Sequence, residues 1–420
     1  MFKKSRGCSQ RFPLLELSNF PISDAIRLLA SAGVQAGFLV PTRTILEKSY
    51  FDAHSGLRRY LAATGYHDYA SQESAQYERR GGWVVGASLN EPTTISMYRP
   101  NPKPGAAEGF TRIWFSGTGK HCEVGDLLAV IVTPSGMLLL NMSREENRRA
   151  LADPASSLRK RVTVPATQED RYGQELLAKL REIARLGYVP TAGLGPRGVG
   201  MTLETLLGIA ANSRRAPDFH GIEIKAGSVS AGGHGVRTTL FSKVPEWHRS
   251  EVSAMTLLTR FGRPANGRIN LYCTLSSTPN SFNLALAISQ QPDDLLAQHE
   301  SSTGKRENLI RWGLPILERS LEEKHPDTFW VSAERRVTGG IPEFRYVRAV
   351  RTVKPMIANL GPLLAEGIVQ VDLLMHDESR SSTSASGLTS RVRDHGYLFK
   401  IAQSNRDLLF PNPRLYRLID

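Results

Sequence analysis

The sequence predicts a mixed α/β protein: a C-terminal half built on a central mixed sheet flanked by helices, and an N-terminal α+β domain containing a small antiparallel sheet or barrel. Three observations carry this. Between residues 81 and 142 the chain is a succession of β-branched and aromatic runs, "GGWVVGASL", "TTISMYRP", "TRIWFSG" and "DLLAVIVTPSGMLLLNM", broken by Gly, Pro and Asn. Beyond residue 171 apolar runs of strand length alternate with segments of helical spacing. The chain has 420 residues, 40% hydrophobic and 22% charged, enough for two or three domains that each bury a core and unlike a disordered composition.

In chain order, "PISDAIRLLASAG" from Pro21 and "SGLRRYLAATGYHDY" from Ser55 have apolar residues at helical spacing, the second ending near Gly65. The β-rich runs follow, closing an N-terminal domain at about residue 153. The polar helix "SREENRRALADP" then leads into a basic, Pro- and Ser-containing stretch, so residues 154–170 are expected to be a linker, with Arg159, Lys160 and Arg161 either solvated or touching a nucleic-acid backbone. Residues 171–420 form the second domain and are expected to fold alone. It opens with the amphipathic helix "RYGQELLAKLREIARLG", whose Leu176, Leu177, Leu180, Ile183 and Ala184 share a side. A Gly-rich turn, the helix "TLETLLGIAANS" with Thr202 as N-cap and Leu203, Leu206, Leu207 and Ala210 as its buried stripe, and the strand "GIEIKAG" come next. Strands are expected at "RINLYCTLSS", "FNLALAIS", "DTFWVSAERR", "EFRYVRAVRTV", "IVQVDLLMH" and "YLFKIA". Helices are expected at "KRENLIRWGLPILERSLEEK" and "PMIANLGPLLAEG". "GSVSAGGHGVRTT" reads as a hairpin tip or plain turn, and "SRSSTSASGLTS" from Ser379 as a mobile loop. No internal repeat is present.

Charge narrows the partners. Lys and Arg number 53 against 40 Asp and Glu, a formal net charge of +13, which favours a polyanionic partner, nucleic acid or an anionic membrane surface, without choosing between them. Cys8, Cys122 and Cys273 are far apart with no C-x-x-C spacing, arguing against a disulfide framework or zinc ribbon and for a reducing cytoplasm. No run approaches the roughly 18 apolar residues of a membrane span, so neither a membrane protein nor a secreted one is expected. "GLGPRGVG" lacks the G-K-[ST] ending of a P-loop, and "HCE" at His121 has no second cluster at ligand spacing.

The chemistry concentrates in "PDFHGIEIKAG", from Pro217 to Gly227. In a strand Ile222 and Ile224 point one way and Glu223 and Lys225 the other, with Asp218 five residues before Glu223. Two carboxylates and the intervening carbonyl of Ile224 suit a hard cation such as Mg²⁺, leaving positions for water and a phosphate oxygen. Lys225 is placed to orient an attacking water or to stabilise charge on a phosphorane-like transition state. Upstream, Glu204 offers a third carboxylate, although an acid in the first turn of a helix is also favoured by the helix dipole alone. Lys243, in "TTLFSK", is read as a backbone-phosphate contact, with an uninvolved surface lysine as the plain alternative.

These residues carry a resemblance. "GVGMTLETLLGIAANSRRAPDFHGIEIKAG" followed by "TTLFSKVPEW" closely resembles the MvaI/BcnI restriction endonucleases, relatives of the mismatch-repair nicking enzyme MutH in the PD-(D/E)xK nuclease superfamily. The resemblance implies a restriction-endonuclease-like fold over about residues 171–420, with Asp218 and Glu223 as metal ligands, Lys225 as catalytic lysine and Glu204 as the helix acid completing the site. It implies a Mg²⁺-dependent, sequence-specific endonuclease acting on double-stranded DNA, in restriction and antiviral defence, with a cognate DNA methyltransferase as genetic neighbour. A repair nickase, or a DNA-binding regulatory module with an inactive site, are the alternatives; the second is disfavoured because all four positions are filled. Near the end, "RDHGYLFKI" is similar to a late family segment in which a histidine contacts bases. This gives His395, on a turn into a strand, and the neighbouring Arg393 as DNA-binding candidates, against a solvated loop. The first 150 or so residues resemble nothing named; their basic residues, among them Arg79, Arg80, Arg99, Lys103 and Arg112, suit phosphate contacts.

Overall fold

The computed structural model describes residues 18–48, 50–85, 90–101, 111–163, 171–193, 195, 198–209, 218–228, 237–265, 267–290, 293–378 and 391–419. The expected loop at 379–390, the centre of the glycine-rich segment at 229–236, Ala210 and Lys103 lie outside these residues. Among the described residues no helix is long and apolar enough to cross a membrane.

The first region contains α1 (Ile22–Ser31), β1 (Gly37–Leu39), α2 (Arg43–Lys48), β2 (Phe51–Asp52), α3 (Ser55–Ala63), β3 (Tyr77–Val85), β4 (Asn90–Tyr98), β5 (Arg112–Phe115), β6 (Leu128–Thr133) and β7 (Gly136–Asn141). Its strands form one seven-stranded sheet in the order β1-β6-β7-β3-β4-β5-β2, antiparallel except where β3 runs parallel to β7. Apolar residues at i, i+3, i+4 and i+7 bury Ile22, Ala25, Ile26 and Leu29 of α1. The amides at the start of α1 donate to Glu366, far along the chain, at 2.6 Å from Ile22 and 3.2 Å from Ser23. Several of the basic residues hold local structure: Arg99 donates to the carbonyls of Ala70 and Gln72, and Arg112 lies over Tyr50.

Helix α4 (Glu145–Ala152) is followed, within the stretch expected to be linker, by α5 (Ser157–Val162). Ser156 caps α5 by accepting from the Arg159 amide, and Leu158 and Val162 are buried. The short helix therefore packs instead of floating. Arg159 donates to the carbonyls of Ser31 and Leu151, and Arg161 lies over Trp83.

The second region contains α6 (Arg171–Arg185), β8 (Val189–Pro190), α7 (Gly198–Leu206), β9 (Glu223–Ser228), β10 (Arg237–Ser242), α8 (Ala254–Phe261), β11 (Arg263–Ala265), β12 (Arg268–Leu275), β13 (Leu284–Gln290), β14 (Asp293–Glu300) and β15 (Arg306–Gly313). It continues with α9 (Leu314–Lys324), β16 (Asp327–Thr338), β17 (Ile341–Val353), α10 (Leu360–Ala365), β18 (Val369–Glu378), β19 (Arg391–Ala402) and β20 (Arg414–Arg417). One mixed sheet runs β20-β17-β16-β9, with β8 also on β17; a second runs β10-β19-β18-β12-β11; a third is the meander β13-β14-β15. The mixed α/β expectation holds, with three sheets in place of one.

Four local expectations are corrected. "KRENLIRWGLPILERSLEEK" is strand β15 and then α9, because the chain turns at Gly313 and Pro315 sits in the first helical turn, where its missing N–H costs nothing. Helix α7 starts four residues before Thr202, which is no N-cap: its hydroxyl donates back to the Gly198 carbonyl and accepts from the Ala192 amide. The same helix buries Val199 and Leu203, while Leu206 is exposed. Strands β9 and β10 pair in different sheets, so the glycine-rich segment between them joins sheets and does not close a hairpin of the two.

Among the described residues, apolar side chains form three buried clusters. One lies between α6, α7 and the β9-containing sheet, with Leu180, Leu203 and Tyr346 fully enclosed. A second lies under the N-terminal sheet but also takes in Met356 and Ala358. The largest is continuous from Ile22 and Val162 to Leu240, Trp312 and Phe410.

Candidate active site

The segment between α7 and β9 is shaped by a tight reversal. Phe219 and Ile222 exchange both backbone hydrogen bonds, at 2.9 and 2.8 Å, around His220 and Gly221, whose φ values are 45° and 88°. Positive φ at both central residues is the signature of a type I′ turn, which glycine adopts without strain. The reversal carries Asp218 back beside the strand that follows, where its Oδ2 accepts from the Ile224 amide at 2.9 Å. That explains the spacing of five between Asp218 and Glu223: the intervening residues are the turn.

Strand β9 lies at the edge of its sheet, paired in parallel with β16 so that Glu223 faces Thr328 and Lys225 faces Trp330. Ile222 and Ile224 enter the apolar cluster beneath, as alternation requires. Glu223 and Lys225 share the other face, but Glu223 is not solvated: it is only 2% exposed. Two ammonium groups compensate its charge. Lys225 Nζ lies 2.7 Å from its Oε1, and Lys324 Nζ lies 2.9 Å from Oε1 and 3.0 Å from Oε2. Lys324 is the last residue of α9, a position where the helix dipole favours a cation.

Around this pair the other acids are under electrostatic pressure. Burial, with the neighbouring Glu223 charge, pushes the Asp218 carboxyl above its ordinary range, while the Ile224 amide and both lysines pull the other way. Burial and then the charge of Asp218 push Glu204 upward too, opposed by Lys225. Glu204 sits late in α7, the helix packed on β9, so the N-terminal dipole that would explain an acid in a first turn does not act on it. The structure thus brings Glu204, Asp218, Glu223 and Lys225 together.

The remaining candidates belong to the second sheet. Lys243 directly follows β10, and its amide donates to the Tyr397 carbonyl of β19 at 3.1 Å. Arg393 and His395 lie within β19, not on a turn leading into it. The ladder with β18 pairs Asp394 with Met375 and Gly396 with Leu374, so His395 is the extra residue of a β-bulge. The backbone therefore places Lys243 and His395 close together at one end of this sheet.

Two groups were not found from sequence. Lys324 is 101 positions from Glu223, and nothing in its local pattern marks it. His325 follows it, fully buried: Nε2–H donates to the Leu240 carbonyl at 2.8 Å and Nδ1 accepts from Thr328 at 3.0 Å. Burial holds its pKa down at about 4, so the ring is a neutral brace.

As to a metal, no group of three or more His, Cys, Asp or Glu side chains among the described residues forms a ready-made cage. The donor set still fits a small hard cation, which typically takes one or two protein carboxylates and fills the remaining positions with water and phosphate oxygens. Three mutually repelling carboxylates, two of them with raised proton affinity, are a place where a divalent charge would be welcome.

The sequence pattern of the MvaI/BcnI restriction endonuclease family matches residues 177–410. The chain belongs to that family. It is accordingly a DNA-cleaving nuclease with the restriction-endonuclease type of fold. The solved complex of the restriction endonuclease MvaI with its cognate DNA substrate is similar at 23% identity, covering 60% of this chain and 100% of that one, with a TM-score of 0.49. MvaI in the absence of DNA is similar at 21% identity over the same shares, with a TM-score of 0.37. No functionally curated protein matches the chain.

Proposed function

We propose that this nuclease is a Mg²⁺-dependent, sequence-specific restriction endonuclease of type II that hydrolyses phosphodiester bonds of double-stranded DNA in the cytoplasm. The observation carrying this reading is the meeting of Lys225 and Lys324 on a buried Glu223, with Asp218 fixed by the same strand and Glu204 in electrostatic range. Asp218 and Glu223 would hold the metal, which supplies Lewis-acid activation of the scissile phosphate when bound. Lys225, on the same strand face, orients the attacking water and stabilises negative charge developing on the phosphoryl oxygens. Glu204 completes the acidic rim. Burial of Glu223 keeps competing water from its oxygens and fixes where both ammonium groups stand.

Lys243, Arg393 and His395 contact the DNA from the second sheet, Lys243 at a phosphate and His395 at a base edge. The N-terminal 153 residues add a further DNA-binding or regulatory surface, consistent with the excess of basic residues in the chain. Incubating the purified protein with a plasmid library, with Mg²⁺ or with EDTA, tests the central reading. Metal-dependent cutting at one motif is expected; metal-independent or motif-blind cutting would remove it. Accumulation of singly nicked plasmid alone would instead favour a repair nickase. His395→Ala is expected to lose about 1 to 3 kcal/mol of discrimination between the motif and its single-base variants, with the metal requirement unchanged. An unaltered ratio returns His395 to the status of a bulge residue without a base contact.

A further inference from the structure

Helix α9 is tied at both ends and gripped along its side. Just before it, Trp312 donates its indole N–H to the Lys243 carbonyl at 2.9 Å; just after it, His325 donates to the Leu240 carbonyl at 2.8 Å. Its last residue, Lys324, carries the second ammonium on Glu223. Leu317 and Leu321 supply the apolar packing.

A different face meets the first region of the molecule. Pro315, Glu318 and Glu322, at i, i+3 and i+7, all converge on Arg59 of α3. Arg59 Nη1 donates to the Pro315 carbonyl at 2.7 Å and lies 3.5 Å from Glu318 Oε2, while Nη2 donates to Glu322 Oε2 at 3.3 Å. A second pair between the same regions, Arg58 with Asp293 of β14 at 3.7 Å, stands beside it. Arg59 precedes the family-matched residues 177–410 by more than a hundred positions.

Stability does not account for this arrangement. Glu318 is 2% exposed, and its Oε2 has no hydrogen-bond partner among the described residues. Burial pushes its pKa up to about 8 in spite of Arg59 and Arg58, with Asp293 and Glu322 adding to the rise. An apolar side chain packed there would cost less than a buried, incompletely bonded acid. What an arginine fork adds is geometry: three fixed points on one helix.

We propose that Arg59 is a positioning residue of the nuclease, gripping Pro315, Glu318 and Glu322 so that α9 holds the Lys324 ammonium against Glu223. The proposal rests on the site reading given above for Glu223. From Glu318 to Lys324 is six residues, about 9 Å of rigid helix, so a displacement at the grip is passed directly to the ammonium. A misplacement of about 1 Å is enough to lower a rate by up to about a hundredfold.

Two readouts on the full-length protein test this, one of them independent of DNA cutting. The first is the rate of acetylation of Lys324 by an amine-reactive ester, followed by peptide mass spectrometry, with Lys179 of α6 as internal reference. The second is plasmid cleavage resolved into kcat and KM. Arg59→Ala is expected to raise Lys324 acetylation at least about threefold relative to Lys179, and to lower kcat about tenfold or more with KM within about twofold. Arg59→Lys, which keeps the charge without the fork, should fall between parent and Arg59→Ala on both. Parental values of both readouts in Arg59→Ala overturn the proposal. If Arg59→Ala does not fold, Arg59→Met, which keeps the stem and removes the fork, takes its place: faster Lys324 acetylation supports the grip, and a parental rate overturns it. If the parent cuts no DNA, the site reading fails, while acetylation still decides whether Arg59 holds α9.

Discussion

Two buried carboxylates, one in each half of the chain, are held in opposite ways. Asp126, beside the N-terminal sheet, is 5% exposed and accepts from neutral donors: Asn19 at 3.0 Å, Asn141 at 2.7 Å and the Glu123 amide at 2.9 Å. Glu223 is 2% exposed and is held by two lysine ammonium groups arriving from different elements. Asp126 is a staple: its charge is absorbed by dipoles fixed in the fold, and it joins the entry to α1 with the end of β7. Glu223 is compensated by two full positive charges instead of dipoles. A buried acid satisfied by neutral donors is therefore explained by structure, and one satisfied by two lysine ammonium groups calls for a functional explanation.

The largest test of this contrast is to remove the Glu223 centre. Glu223→Ala and Lys225→Ala are each expected to lower cleavage by about a thousandfold or more while DNA affinity stays within a few-fold, since their interactions strengthen in the transition state. Cutting within about threefold of the parent in either variant would place Glu223 in the same class as Asp126. The converse substitution, Asp126→Ala, leaves the Asn141 and Glu123 donors without their acceptor and should cost about 2 to 4 kcal/mol of stability by denaturant unfolding. Its cleavage per folded molecule should match the parent; lost cleavage at parental stability would reverse the assignment.

A smaller effect concerns Glu318, a buried acid with an intermediate kind of partner. Its pKa in the folded protein is about 8, against an ordinary 4.5. Between those values the unfolded chain is ionised while the folded one retains the proton, so stability falls as pH rises from about 4.5 and the loss is complete by about 8. Glu318→Gln removes that titration. The Tm of the variant should gain on that of the parent between pH 5 and pH 8, and parallel Tm curves would show that Glu318 does not titrate as its burial implies.

How much of this was written in the sequence depended on distance along the chain. The alternation through "GIEIKAG" placed Glu223 and Lys225 on one face, and the leucines of "RYGQELLAKLREIARLG" named the buried side of α6, because both patterns are complete within a few residues. The helix after Gly313 was legible but its start was not, since Leu309 and Ile310 of β15 also fit a helical period; Gly313 and Pro315 held the better signal. Strand β14, "DDLLAQHE", was missed because its polar ends conceal a short apolar centre. Lys324 and Arg59 were invisible for a stronger reason: each acts through a partner more than a hundred positions away, and no local period records such a pairing. The inter-sheet ties made by Trp312 and His325 depend on tertiary structure in the same way.

The parallel pairing of β9 with β16 sets an order of events during synthesis. Parallel neighbours need a crossover, and here it contains β10 to β15 and α9, all made after Glu223 and before Thr328. When Asp218, Glu223 and Lys225 have been made, neither the strand that seats Glu223 nor the Lys324 ammonium has yet emerged. Contacts so distant in sequence form late, after the local elements they join. On the proposed reading of Glu223, the pairing that seats it exists only once about three quarters of the chain has been made.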